Sequence, residues 1–169
     1  MKVKLINLLL VFLVLFAGCK GPAAPTASMD EKFTCIAKLN YNGSEFKAAV
    51  TKESPGCYTI EIIEPVNLRG IMLQWNDGDL SVGYKGLSVK IDPALLPDTA
   101  FGAILINSFN AAAGEDGYRI TNDGDTVRLE GTSESGDFSI VLDKETGMLM
   151  SIDVPSVNLT AIFEEYAAK

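Results

Sequence analysis

Three cysteines carry the most reactive side chains of this 169-residue chain, which has no histidine to work beside them. Cys19 closes the run Leu15-Phe16-Ala17-Gly18-Cys19, after a basic start, Met1-Lys2-Val3-Lys4, and an uncharged stretch from Leu5 to Phe16. A basic end, an apolar centre and small residues make a secretory leader, here with a cysteine where the cleavage residue is expected. The apolar run falls short of the ~20 residues that a membrane-crossing helix needs. Cys35 and Cys57 then remain as an even pair, in a compartment where disulfides persist. A hairpin about Asn42-Gly43 sets Cys35 opposite Val50, and the next turn sets Cys57 beside Thr51. That leaves the sulfurs two strands apart, about 10 Å at ~4.8 Å per strand, whereas a disulfide wants Cα atoms within about 7 Å. A register shift or strong coiling closes the gap. Without one, both are buried free thiols, so both states stay open here.

The other reactive residues lack partners. Without histidine the chain loses the commonest general base, the Ser-His pair and the commonest zinc ligand. Ser81, Ser88 and Ser108 have no candidate base, and no phosphate loop, nucleophile elbow or zinc motif is present. The carboxylates Glu61, Glu64, Glu130, Asp137, Asp143 and Glu145 show no spacing that selects an acid and a base. Asn76-Asp77-Gly78-Asp79 and Asn122-Asp123-Gly124-Asp125 resemble calcium loops only in composition. Calcium needs six or more oxygens at set spacing, while Asn-Asp-Gly is what a tight hairpin requires. No catalysis, metal or cofactor is expected.

Composition narrows the partners. Loss of Lys2 and Lys4 with the leader takes 14 Lys+Arg to 12 against 22 Asp+Glu, a net charge of −10. Such a surface argues against nucleic acid and against adsorption to anionic headgroups. Residues 1–18 read as the leader, 19–31 as the cysteine and a flexible Pro/Ala tether, and 32–166 as one domain. A chain of that size buries a core without metal. A monomer is expected.

The elements that position these residues are strands. Phe33, Cys35, Ala37, Leu39 and Tyr41 alternate with more polar neighbours, and period-2 runs recur at Phe46–Val50, Cys57–Ile63, Leu68–Trp75, Leu80–Tyr84 and Leu87–Ile91. They resume at Tyr118–Asn122, Val127–Thr132, Phe138–Leu142, Met148–Val154 and Asn158–Phe163. Between the two series Phe101, Ile104, Leu105, Phe109 and Ala112 fall at helical spacing, with Asp98 or Thr99 as cap and Gly114 as stop. The fold class is mainly β (α+β). A curved, partly closed antiparallel half-barrel of about ten strands is expected to wrap around one inserted helix, because a long sheet curls to protect its edges.

The leader with Cys19 resembles a bacterial lipoprotein signal. That resemblance implies diacylglycerol on the Cys19 thiol, Cys19 as mature N-terminus, and an extracytoplasmic, membrane-anchored protein. The domain looks like the lipoprotein-carrier fold of the LolA/LolB type. The likeness rests on Ile60–Pro65–Gly70, on Trp75-Asn76-Asp77-Gly78-Asp79-Leu80, on the passage Leu87–Pro97 into a helix, and on the strands around Asp143–Gly147–Ile152. The resemblance implies an apolar space for acyl chains between helix and curved sheet. Met72, Trp75, Leu87, Phe101, Leu105 and Phe109 are the residues expected to line it. The expected function is a non-enzymatic envelope lipoprotein that binds a lipid or other apolar ligand in its concave face. The alternative is an envelope scaffold with a packed interior and no small ligand.

Overall fold

The computed structural model describes Met29 and residues 32–92, 100–113 and 118–169. Cys19, the leader, the tether, Asp98, Thr99 and Gly114 lie outside the described residues. One antiparallel sheet organises the chain. Its strands are β1 (Phe33–Tyr41), β2 (Ser44–Ser54), β3 (Cys57–Glu64), β4 (Ile71–Asn76), β5 (Asp79–Tyr84) and β6 (Leu87–Ile91), then β7 (Tyr118–Asp123), β8 (Thr126–Ser133), β9 (Gly136–Asp143), β10 (Leu149–Val154) and β11 (Leu159–Ala168). Helix α1 (Phe101–Ala113) lies between the two series.

Local sequence explains the hairpins. Asn42 and Gly43 both take positive φ, 49° and 78°, as a two-residue type I′ turn demands, and β1 and β2 pair in register from Tyr41↔Ser44 to Phe33↔Lys52. Asn42 is also tied across the sheet. Its N–H donates to the Asn158 carbonyl at 3.1 Å, and its side-chain oxygen accepts from Asn158 Nδ2 at 3.2 Å.

The spatial order is β6-β5-β4-β3-β2-β1-β11-β10-β9-β8-β7. The chain thus starts in the middle of the sheet, runs out to the β6 edge, and re-enters at the β7 edge after α1. It then returns inward until β11 lies against β1, with Ala37↔Phe163 and Leu39↔Ala161. The described residues form eleven strands, in keeping with the expected mainly β class of about ten, and the sheet does not close: β6 and β7 are its two edges. Strand β4 begins at Ile71 rather than Leu68. Residues 65–70 form a turn in which Arg69 Nε donates to the Ile63 carbonyl at 2.9 Å.

Alternation along each strand sorts side chains between two faces. The inner face carries Phe33, Cys35, Ala37 and Leu39 of β1, Ala48 and Val50 of β2, and Ile60 of β3, all buried. Leu129, Ile140, Ile152, Ala161 and Phe163 continue it through β8 to β11. Helix α1 covers this face: Ile104, Leu105, Ile106 and Phe109 are at most 1% exposed. Each large apolar side chain so buried contributes about 1.5–3 kcal/mol. The helix backbone lies nearest β8, while its first turn reaches the opposite half of the sheet.

Candidate functional site

The inner face divides into a covered half and an open one. Under α1 the rings interlock. Phe109 meets Phe33 edge-on with centroids 6.3 Å apart, stacks on Tyr58 at 5.9 Å, and lies 6.1 Å from Phe163. Phe101 stacks on Phe46 at 5.2 Å. Gly102 sits so close to Leu73 that a Cβ there would overlap its Cδ1. Glycine is a weak helix former, and the close approach of the first helical turn to the sheet explains its use here.

Across β4 to β6 the same face emerges from under the helix. The pairings Leu73↔Val82 and Ile71↔Tyr84, then Val82↔Val89 and Tyr84↔Leu87, put these six residues on the face of Ile60. Ile71, Leu73 and Val82 are half-buried. Tyr84, Leu87 and Val89 are 43%, 76% and 65% exposed, an apolar strip at the β6 edge.

The expected lining residues are therefore not one surface. Leu105 and Phe109 are wholly buried in the covered core. Phe101 and Trp75 are half-buried at its border, both packed against the core. Leu87 stands on the open strip. Met72 needs correction. It pairs with Glu61 on β3 and Gly83 on β5, one residue out of phase with Leu73, so it belongs to the outer face. Tyr84 and Val89 were missed, although Leu80, Val82 and Tyr84 followed by Leu87, Val89 and Ile91 show the alternation that places them.

The cysteines fall on opposite faces. Cys35 is buried inside, opposite Val50 as the hairpin register requires. Cys57 pairs with Ser54, not with Thr51, because the ladder shifts between Lys52 and Ser54. It lies on the outer face and donates to Asn76 Oδ1 at 3.0 Å. Both thiols are free, and facing apart across two strands they have no geometry for a bond. Burial pushes the Cys35 thiol up to about 12.

Polar groups interrupt the inner face near Phe33, on whose ring Tyr166 also stacks at 5.2 Å. Lys52 is 2% exposed, with its ammonium 5.9 Å from the Phe33 ring centroid. Directly across the strand pair, Tyr58 is also 2% exposed. Its hydroxyl has no hydrogen-bond partner, the single such buried side-chain atom among the described residues. Desolvation, reinforced by the nearby Cys57, raises Tyr58 to about 12, so the phenol is neutral at physiological pH.

Hollows of mixed polar and apolar lining lie elsewhere, and the smaller of the two described next is also bordered by Tyr58, Trp75 and Leu80. One of about 540 Å³ is bordered by Arg119, Glu130, Asp137 and Asp153, and one of about 480 Å³ by Glu53, Gln74, Asp79 and Lys90. Among the described residues no three Cys, Asp or Glu side chains gather as a metal site.

This architecture has structural relatives. The fold is similar to that of an uncharacterized conserved protein from Thermus thermophilus, with a TM-score of 0.52 at 10% identity over 86% of this chain and 81% of that one. A LolA superfamily protein from Nitrosomonas europaea aligns with a TM-score of 0.41 at 11% identity, covering 85% and 88% of the two chains. A DUF1329 family protein from Desulfovibrio piger gives 0.41 at 12%, covering 82% and 84%. No protein-family model and no curated protein matches the sequence. At 10% identity the likeness to the Thermus protein speaks for the fold alone, and function must be argued from the inner face itself.

Proposed function

We propose that this protein is a non-enzymatic envelope lipoprotein, anchored through lipid on Cys19, that binds an acyl-type apolar ligand along the open half of its inner face. The observation that carries the reading is the strip Tyr84, Leu87 and Val89, exposed where the inner face runs out from under α1. Scattered apolar residues need no explanation. A run that continues the core's own face out to a sheet edge is a candidate binding surface. The strip's own side chains are uncharged, with the Lys85 ammonium 5.1 Å from the Tyr84 ring centroid at its end, and Lys90 points to the other face, where it pairs with Asp79 at 3.0 Å. Such a lining recognises chain length and shape rather than charge. An acyl chain is also what the sequence's resemblance to lipoprotein carriers implies.

The covered half favours a second reading, a scaffold with a packed interior. Ile104, Leu105, Ile106 and Phe109 leave little space of their own under the helix. Trp75 separates the two readings, since it is the single tryptophan and stands half-buried on the inner face. Titration of the Cys19→Ser chain with palmitate is expected to shift Trp75 emission saturably. Val89→Asp, at a site already 65% exposed, should weaken that response about tenfold or more while leaving the unfolding midpoint nearly unchanged. No response in the wild type would favour the scaffold.

A further inference from the structure

The unpartnered hydroxyl of Tyr58 gives the proposed ligand a direction. A buried hydroxyl without a partner carries its full desolvation cost, and native proteins rarely keep one without a use. Phenylalanine would supply the same ring against Phe109 without that cost. The stacking at 5.9 Å therefore accounts for the ring but not for the oxygen. The register of Tyr58 in the sheet is informative. Tyr58 heads the inner-face row Tyr58–Trp75–Leu80–Ile91, which leads from the covered aromatic cluster to the β6 edge. Lys52, the other buried polar residue of this region, stands across from it. From Tyr58 to Leu87 the path crosses three strand spacings and four residues along a strand. That is about 19 Å at ~4.8 Å per strand and ~3.3 Å per residue. A membrane acyl chain occupies about half of a ~30 Å hydrocarbon core, so chain and path are of similar length.

We propose that the ligand lies head-in, with the carboxyl or ester oxygen of an acyl chain hydrogen-bonded to the Tyr58 hydroxyl and its tail running out over Leu73, Val82 and Val89. This rests on the apolar-ligand reading and adds to it a polar-headed ligand and a fixed orientation. The phenol donates to the carbonyl oxygen of the head, and no covalent step is involved.

Tyr58→Phe in the Cys19→Ser chain tests it against two probes, palmitate and diphenylhexatriene, the second having no polar head. Palmitate should bind about five- to tenfold more weakly, the loss of one hydrogen bond, while diphenylhexatriene is unaffected. The urea midpoint of the free protein should rise, because the variant loses an unsatisfied buried oxygen. Equal effects on both probes, or none on either, would overturn the head-in orientation and leave the apolar groove standing. A lowered midpoint would overturn it too, by showing the hydroxyl already satisfied in the free protein by an ordered water. Binding of neither probe to the Tyr58 parent would remove the groove and, with it, this inference.

Discussion

Single residues in this fold are assigned their chemistry by the face they occupy. Of the two strand cysteines, Cys35 is a buried thiol raised to about 12, whereas Cys57 reaches the outer face beside Asn76. Iodoacetamide under native conditions is therefore expected to label Cys57 alone in the Cys19→Ser chain, with Cys35 reacting only after unfolding. Intact mass reads the outcome, and protection of both thiols until a reductant is added would contradict it. Asp143 provides a second residue-scale test. Its carboxylate accepts from the Thr146 hydroxyl at 2.6 Å, from the Thr146 N–H at 2.8 Å and from the Glu145 N–H at 3.1 Å. Those donors, the Thr146 hydroxyl first, hold its pKa below the ordinary value. A lowered folded-state pKa stabilises the turn fully above the unfolded value, and the effect is lost as pH falls through the folded one. The Thr146 amide resonance should titrate with a midpoint below the usual Asp range. A midpoint at the usual value would mean that the turn does not hold in solution.

At the scale of elements, α1 is fitted to the sheet more closely than its sequence suggests. Its apolar residues at helical spacing announce a helix on a sheet, but Gly102 shows how near the first turn comes to Leu73 and Ile60. Gly102→Val is expected to lower stability by about 1–3 kcal/mol through overpacking, despite replacing a glycine in the first helical turn. Chemical denaturation measures this, and a stabilised variant would show that the helix rides higher on the sheet. The strands were largely legible, because alternation and Asn-Gly or Asp-Gly turns act locally and specify hairpins. Their faces were less so. Met72 sits in an apolar run, Ile71-Met72-Leu73, in which alternation gives no contrast, and only pairing with Glu61 and Gly83 reveals its outward phase. The position of Cys57 escaped for a related reason: the ladder shift near Glu53 leaves no mark in the sequence.

For the whole molecule, the decisive contact is the least local one. Pairing of β1 with β11 joins residues more than a hundred positions apart, such as Lys38 and Glu164, whose side chains meet at 2.7 Å. Nothing in hairpin chemistry specifies that pairing. The sequence therefore indicates two strand series about a helix, but not that the second series enters from the far edge. This arrangement leaves β6 and β7 as separate edges and the inner face open beside β6, where Tyr84, Leu87 and Val89 emerge. The candidate site is thus a consequence of topology, which is why residue patterns alone merged it with the packed core around Phe109. Anchoring belongs to this scale as well. If Cys19 carries the lipid, Cys19→Ser should move the protein from the membrane to the soluble fraction, and unchanged retention would refute the lipid anchor.

The central claim is an apolar ligand on the open inner face, and native mass spectrometry of the gently purified Cys19→Ser chain tests it most directly. The account predicts a population heavier than the polypeptide by the mass of a polar-headed acyl lipid, lost on delipidation and depleted by Val89→Asp. A clean polypeptide mass, together with no uptake of added palmitate, would contradict it.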